Sequence, residues 1–360
     1  MINYITIKVK LLLLAALLMP TLVFAQAVKG RVVDANTGLP LANVNVYFDG
    51  TFQGTATDSA GNFALNNAIK TSSPLVVSYM GYQSRKITSY GTESLNIALK
   101  LKVVELKEVI IGSDEISRAK AMKIFLKEFI GESAQDCSID NPDELYFHYF
   151  KKKDLLTADA DKPLIITNKL LGYKITYFLT SFSHAPLQTK YKGTYFFSED
   201  TEGLSSAKLK AVMKERDETY YGSRMHFIRA LWANELNKNY FSIYATPKGK
   251  IDYDKAYKLE GSNMLWFNDI VQAADGQKFI MLGKVIEAND KKYNNKEMYF
   301  TYNNGNNSFM RQEDSDSGVL IDKNGYYDEG LEWKGNIGIY RIGRLLPFEF
   351  MPSAPDKLKK

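Results

Sequence analysis

Apolar and polar side chains alternate in short segments over the first hundred or so residues. Between residues 43 and 48, Val44, Val46 and Phe48 alternate with more polar residues, Tyr47 among them. This is the period-two pattern of a strand with one buried face. The stretches "DANTG" and "DSAG" predict turns, because Asp and Asn bond local amides and Gly takes positive φ freely. Short strands at this spacing predict a seven-stranded β-sandwich over residues 26–101.

The second half of the chain mixes helical and strand patterns. Apolar residues at helical spacing predict a helix that ends near Gly131; they are Met122, Phe125, Leu126 and Phe129. A second helix is predicted from about Ser223 to Asn237. Other segments are rich in Tyr, Phe, Ile and Thr, with hairpin turns such as "NNGNN". We therefore expect a linker over residues 102–116, a β-rich α+β domain with about two helices over residues 117–360, and a mainly β or α+β fold class.

The motifs of the first module also carry a family resemblance. The runs "GRVVDANTGLPLANVNVYFDG", "LVVSYMGYQSRKI" and "LNIALK" occur in this order. Over residues 28–100 the chain resembles the carboxypeptidase-D regulatory-like domain, a transthyretin-like sandwich. The resemblance implies a domain that accompanies carboxypeptidases and receptors and has no catalytic residues of its own. The next segment, "LKEVIIG", resembles the one that joins this domain to the plug of TonB-dependent outer-membrane receptors.

The second half carries a further resemblance. With "EISRAKAMKIFLKEFIG", "YYGSRMHFIRAL" and "LLPFEF" it resembles the C-terminal part of a family of exported proteins of Gram-negative bacteria. Members of this family pair that part with the same sandwich and are named only for the sandwich. The resemblance therefore implies the two-part architecture and the compartment, and it implies no function.

The N-terminus has the layout of a secretory signal peptide. Lys8 and Lys10 precede an apolar run from Leu11 to Met19, and a cleavage site that ends in the small residue Ala25 follows. We expect a signal peptide over residues 1–25 and a mature chain from near Gln26, with a retained N-terminal anchor as the alternative. No cysteine follows the apolar run, which excludes lipoprotein attachment there. The expected location is the periplasm or the outer membrane.

Charge and cysteine content narrow the partner classes. Removal of the signal peptide takes away two lysines and no acidic residues, so the formal net charge falls from +5 to +3. The basic residues are scattered among nearly as many acidic ones, which argues against nucleic acid as a partner. Cys137 is the only cysteine, so the exported chain has no internal disulfide available.

The sequence contains few of the residue spacings that are typical of catalytic or metal-binding sites. The three histidines, His148, His184 and His226, have no Glu or Asp three or four residues further on, which argues against a zinc carboxypeptidase. The 248 residues after Gly112 are too few for a 22-stranded receptor barrel. The Ser-x-x-Lys spacing at Ser117 lacks the partner motifs of serine acyl-enzymes. We predict no catalytic residue, no cofactor and no metal site.

Aromatic residues supply the candidate contact positions. The 23 Tyr and 20 Phe residues cluster in the second half, where they either fill a sheet core or line a carbohydrate or peptide cleft. The candidate ligand or partner contacts are Trp232, Trp266, Trp333 and His226. His226 is selected as a titratable group beside Arg224 and Arg229, with a hydrogen-bonded structural histidine as the alternative.

These observations predict a non-enzymatic exported adaptor or binding protein. The sandwich would act as a docking module through its exposed strand edges and loops. The partner would be an envelope protein or a glycan, with peripheral association with the outer membrane. One alternative is a hydrolase of glycans or cell-wall peptides with the sandwich as an accessory domain. A second is a small outer-membrane β-barrel, against which the helices and the non-strand ending "MPSAPDKLKK" count.

Overall fold

The structure is a computed structural model that describes residues 27–66, 69–91, 93–102, 116–186, 188–247, 264–282, 293–303, 305–314 and 317–353. The predicted signal peptide and most of the predicted linker, including the segment "LKEVIIG", lie outside these ranges. Within them, no helix has the length and apolar character that a membrane crossing requires.

The first module is a sandwich of two sheets. Its strands are β1 (Ala27–Asp34), β2 (Asn45–Phe48), β3 (Gly54–Ala56), β4 (Asn62–Asn66), β5 (Leu75–Ser78), β6 (Arg85–Ile87) and β7 (Leu95–Leu99). One sheet has the order β4-β1-β7, with β1 and β7 parallel, and the other has the order β3-β2-β5-β6. Alternate residues such as Val32, Val46 and Val77 are fully buried between them. The predicted class and the seven strands are confirmed.

The second half begins with a helix packed on an antiparallel sheet. The helix α1 (Arg118–Phe125) continues as a wider helical turn to Ile130 and ends at Gly131, which has φ 90°. The strands are β8 (Cys137–Ile139), β9 (Leu145–Phe150), β10 (Leu155–Ala160), β11 (Leu164–Asn168), β12 (Tyr173–Ala185) and β13 (Gln188–Glu199). Their order is β8-β11-β12-β10-β9, and β13 pairs with β12. Phe125 and Phe129 are fully buried against Phe182 and Tyr177 of β12.

A second core forms around a second group of helices and sheets. The helices are α2 (Ser206–Tyr220), α3 (Arg224–Ala233) and the short α4 (Phe267–Ile270). One sheet has the order β14 (Phe241–Pro247), β17 (Tyr293–Tyr302), β18 (Asn306–Gln312) and β20 (Leu331–Gly335); the other has β15 (Val271–Ala274), β16 (Gln277–Ile280) and β19 (Val319–Ile321). Phe227 of α3 stacks on Phe300 of β17 with ring centroids 4.4 Å apart, so α3 covers the first of these sheets.

Helix α2 is an addition to the two predicted helices. Its sequence, "SAKLKAVMKERDETY", has no continuous apolar stripe, and its exposed residues mix charged, small and apolar side chains. Ser205 caps its N-terminus by accepting from the Lys208 amide. Arg216 anchors it, since this guanidinium is buried, lies 3.8 Å from the Tyr173 ring and donates to the carbonyls of Leu171 and Gly172. A buried arginine takes the place of the apolar face that the sequence lacks.

The outer face of the sandwich sheet that contains β2 is covered by the second half. Tyr47, expected on the polar side of β2, is fully buried. Its ring lies 5.1 Å from that of Phe178 and 4.9 Å from that of Phe196, and its hydroxyl is 2.7 Å from the hydroxyl of Thr194. Strand β2 therefore has two buried faces, because the β12–β13 hairpin packs against the face that the sequence pattern predicted to be exposed to solvent.

Backbone hydrogen bonds join the two halves beside Tyr47. The Gly50 amide donates to the Tyr195 carbonyl at 2.7 Å, and the Gly50 carbonyl accepts from the Phe348 amide at 3.0 Å. The Phe197 amide donates to the Thr51 carbonyl at 2.8 Å. The turn after β2 is thus paired on one side with β13 and on the other with the C-terminal segment, so the sandwich is held in a defined orientation.

A buried carboxylate makes a second junction. Asp322 is 5% exposed, and its Oδ2 accepts from the Thr71 hydroxyl at 2.9 Å and from the Ser72 amide at 2.8 Å. Its Oδ1 accepts from the amides of Asn324 and Tyr326 in its own turn. One side chain thereby fixes a turn of the second half and a loop of the sandwich together.

Candidate binding cleft

An open cleft of about 1200 Å³ lies where the sandwich meets the second half. One wall consists of sandwich residues from β2, β5 and the loop 78–84. The other consists of residues 191–195 of β13 and the segment 326–331, together with Arg224 from the first turn of α3. A cavity of this size between two structural units is a common location for a ligand site.

The inner wall is built around a glycine that allows close packing. A Cβ on Gly193 would lie 2.4 Å from Cε1 of Tyr177 and 2.5 Å from the Phe178 carbonyl oxygen. Only glycine fits at this point of β13 without moving the neighbouring strand. The backbone of β13 therefore passes directly over the aromatic side chains of β12, and its flanking residues line the cleft.

Three tyrosines present phenol groups near this wall. The rings of Tyr177 and Tyr195 are stacked 5.8 Å apart, and Tyr191 lies on the same hairpin. Burial raises the pKa of all three phenols above the ordinary value, and Arg224 opposes this shift at Tyr191 and Tyr195. The phenols are therefore neutral at physiological pH. Tyr177 is buried behind the wall, whereas the partly exposed Tyr191 and Tyr195 can contact a ligand.

Charged side chains of both signs cross the cleft. Lys86 of the sandwich bonds to Oε1 of Glu329 at 2.6 Å, and Lys192 of β13 lies 3.7 Å from Oε2 of the same carboxylate. The hydrogen bond from Lys86 lowers the pKa of Glu329. These groups are largely exposed, so the pairs add little to stability. These charged groups lie within the cleft, where a polar ligand can replace their contacts with one another.

Asp49 is a carboxyl group with an altered pKa in the same cleft. Its Oδ1 accepts from the Tyr195 amide at 2.8 Å. Burial raises its pKa from 3.8 to about 7, a shift that this hydrogen bond and the positive charge of Lys86 oppose. A carboxyl group that titrates near neutrality in a cleft is a candidate functional group.

The three predicted tryptophans do not form one surface. Trp333 on β20 is half-buried and packs edge-on against Tyr327, a cleft residue, with ring centroids 5.4 Å apart. Trp232 lies under the Lys278 ammonium at 4.4 Å, and Lys278 also contacts the Phe267 ring at 5.3 Å. Trp266, next to Phe267, is 60% exposed. Trp333 therefore borders the cleft, whereas Trp232 packs against Lys278 and Trp266 is exposed to solvent.

His226 is enclosed by the protein interior. It is 2% exposed, its Nδ1 accepts from the Gly222 amide at 3.1 Å, and its Nε2 donates to Oδ1 of Asn239 at 3.0 Å. Burial lowers its pKa from 6.5 to about 4. These contacts match the alternative of a hydrogen-bonded structural histidine. The group is neutral at physiological pH and does not line the cleft.

We expect the His226→Gln substitution to reduce the loss of stability on acidification. Below pH 6.5 the unfolded imidazole binds a proton that the folded one binds only below about pH 4. The folded state of the wild type therefore loses roughly 2 to 4 kcal/mol as the pH falls through this window. Glutamine can keep both hydrogen bonds and does not titrate. The measurement is the free energy of unfolding in urea at pH 7 and pH 4.

The exposed His148 supplies the matched control. The His148→Gln variant should retain the wild-type difference in unfolding free energy between the two pH values. An equal difference in His226→Gln and in wild type would show that His226 is not the group responsible.

The Ser-x-x-Lys spacing has a structural explanation. Ser117 caps helix α1, and its hydroxyl accepts from the Lys120 amide at 3.3 Å.

Among the described residues, no three His, Cys, Asp or Glu side chains form a group that could hold a metal ion. The cleft is therefore the feature of the described structure with the clearest capacity to bind a ligand.

Comparison with known proteins identifies the first module. Residues 28–111 match the family model of the CarboxypepD_reg-like domain, which confirms the resemblance of the turns and strands. Over 106 residues the chain is 39% identical to the TonB-dependent receptor SusC of Bacteroides thetaiotaomicron, covering 29% of this chain and 10% of that receptor. Over 96 residues it is 31% identical to the TonB-dependent receptor P39 of Formosa agariphila, covering 26% and 9%. The chain thus spans about a tenth of the length of these relatives.

Two solved structures show weak overall similarity. A 9R-lipoxygenase from Cyanothece PCC8801 is 10% identical, with 57% of this chain and 48% of that chain covered and a TM-score of 0.16. A protein of unknown function from Bacteroides fragilis NCTC 9343 is 11% identical, with 86% and 94% covered and the same TM-score of 0.16. At this TM-score neither structure bears on the fold or the function of the chain.

Proposed function

We propose that this protein is a non-enzymatic exported binding protein of the Gram-negative envelope that holds its ligand in the cleft between the sandwich and the second half. The observation that carries the proposal is the cleft itself, about 1200 Å³ in volume and lined from both sides. The sandwich supplies one wall. This is a more specific role than that of an independent docking module.

The composition of the cleft favours a polar ligand with ring-like or extended shape. The walls combine tyrosine rings with exposed lysines and with the carboxyl groups of Asp49 and Glu329. Aromatic faces stack on sugars and on peptide side chains, and the charged groups fix hydroxyls and amides. We propose a glycan or a peptide of the envelope as the ligand class.

The envelope location rests on two supports. The predicted signal peptide directs export. The relatives that share the first module are named as TonB-dependent receptors, although they are about ten times longer than the shared region. Peripheral association with the outer membrane would follow if the ligand or partner is anchored there.

The test is binding of the mature chain, from Gln26, to glycan and peptide arrays. Thr180 lines the cleft and is exposed at an irregularity of β12, so the Thr180→Trp substitution should fill part of the cleft without replacing a core residue. We expect roughly tenfold or greater weakening for the ligands that the wild type binds. The control is Ala207→Trp on the exposed first turn of α2, which should bind as the wild type does. Unchanged binding by Thr180→Trp would refute the cleft as the site.

Asp49 supports a second candidate, a hydrolase that acts on glycans or cell-wall peptides. Its pKa of about 7 suits a general acid or base. The discriminating measurement is mass spectrometry of array ligands after incubation with the mature chain. Intact ligands support the binding protein. Cleaved products that disappear with Asp49→Asn would replace it with the hydrolase.

A further inference from the structure

One arginine at the cleft has no acceptor among the described residues. Arg224 lines the cleft from the first turn of α3 and is half-buried. Its Nε is buried and donates to no hydrogen-bond acceptor in the described part of the chain. Glu313 and Asp328 also line the cleft, but neither carboxylate is within ion-pair distance of Arg224. Buried N–H groups nearly always have a hydrogen-bond acceptor, so the Nε of Arg224 is a candidate donor to a bound ligand.

Other buried or half-buried arginines of the second half show the usual pattern. Each donates to carbonyl, hydroxyl or carboxylate oxygens of the protein; they are Arg216, Arg229, Arg341 and Arg344. Arg229, five residues further along α3, donates to the carbonyls of Asn324, Phe348 and Phe350. Arg224 is therefore an exception on the same helix, and it is the one of this group that faces the cleft.

A second buried donor lies beside it. The Arg224 guanidinium is 5.9 Å from the centre of the Trp333 ring. The indole Nε1 of Trp333 is also buried without a hydrogen-bond acceptor. Tyr191 and Tyr195 line the same cleft, and the positive charge of Arg224 opposes the rise in the pKa of both phenols. This corner of the cleft thus offers positive charge and N–H donors, and no carboxylate of the described residues forms an ion pair with Arg224.

We propose that Arg224 binds an oxyanion of the ligand, a carboxylate or a phosphate, and that this corner selects acidic ligands. The inference rests on the cleft as the ligand site and adds the chemical class of the ligand. A guanidinium presents paired N–H donors in a plane that matches the two oxygens of such a group. The low solvent exposure of the corner strengthens the interaction, because fewer water molecules compete for the donors.

Trp333 provides a local reporter for the test. The chain has three tryptophans, so a Trp232→Phe, Trp266→Phe background leaves Trp333 as the only one. Its emission is titrated with D-glucuronate, with inorganic phosphate and, as the neutral comparison, with D-glucose. We expect a saturable change with at least one of the two anions and none with glucose at the same concentration. Comparison of the two anions distinguishes carboxylate from phosphate recognition.

Variants at position 224 connect the signal to the guanidinium. In Arg224→Gln we expect the dissociation constant to rise roughly 10- to 100-fold. Arg224→Lys keeps the charge and folding but loses the paired geometry, so it should give an intermediate value. Arg311→Gln, at an exposed position outside the cleft lining, should match the parent. Absence of a saturable anion response, or a response unchanged in both Arg224 variants, overturns the inference.

The two proposals fail separately. If Thr180→Trp abolishes array binding but Arg224→Gln does not weaken anion binding, the cleft remains the ligand site and the acidic-ligand inference falls. If Arg224 binds the anions but Thr180→Trp leaves array binding unchanged, the corner is an anion site and the proposed function falls.

Discussion

The Gly50→Val variant is expected to lose about 2 to 5 kcal/mol of unfolding free energy. Gly50 has φ 75°, and a Cβ at this position would lie 2.6 Å from Cε2 of the Phe348 ring. Its amide and carbonyl also join the sandwich to Tyr195 and Phe348. A branched side chain would strain the backbone and push the C-terminal segment away from the sandwich. Urea denaturation of the mature chain measures the loss.

A matched substitution at Gly38 separates the cost of backbone strain from the cost of the clash with Phe348. Gly38 has φ 72°, but a Cβ there would meet no atom within 4 Å. Gly38→Val should therefore show only the backbone cost, about 1 to 2 kcal/mol. Equal losses in the two variants would mean that contact between Gly50 and Phe348 contributes nothing to the junction.

Truncation of Tyr47 to alanine is expected to cost about 3 to 5 kcal/mol. The side chain is fully buried between the sandwich and the rings of Phe178 and Phe196. Its removal would leave a cavity at the centre of the junction. Thermal or urea unfolding of the mature chain, with protease susceptibility of the sandwich as a second readout, measures the effect.

Tyr47→Phe isolates the hydroxyl contribution. This variant keeps the ring and removes only the contact with the Thr194 hydroxyl, so we expect a loss of about 1 kcal/mol. A loss of that size or smaller in Tyr47→Ala would contradict the packed junction, because it would show that the ring is not held between the two halves.

Local sequence patterns were sufficient to predict the sandwich. Strands such as β2 and β5 combine alternating or continuous apolar residues with turns that contain Asp, Asn and Gly. These determinants act over a few residues, so they can be recognised without knowledge of the tertiary contacts. The first long helix was predictable for the same reason, since Phe125 and Phe129 are at helical spacing.

The burial of Tyr47 and the presence of helix α2 were not predicted, because both depend on contacts between residues far apart in the sequence. Tyr47 is buried by residues about 130 to 150 positions later, and the alternation around it indicated a solvent-facing side chain. A large aromatic residue at the polar position of a strand was the available signal of a partner surface. Helix α2 depends on Arg216 reaching carbonyls of another segment, which no local pattern reveals.

The cleft residues were missed for a related reason. Asp49, Tyr195 and Arg224 belong to three separate segments, and each is ordinary in its local sequence. The tryptophans were chosen as contact candidates by residue type alone, and one of them, Trp333, packs against the cleft residue Tyr327. His226 was selected because it titrates, yet titratable side chains are also used as buried hydrogen-bonding groups.

Hydrogen exchange of the mature chain, with and without an array-identified ligand, tests the central claim most directly. Binding in the cleft predicts slower amide exchange in both walls, at residues 79–84 of the sandwich and residues 326–331 of the second half, with no change at residues 206–220 of α2. Protection confined to one half, or protection that leaves both of these loops unchanged, would contradict the cleft as the ligand site.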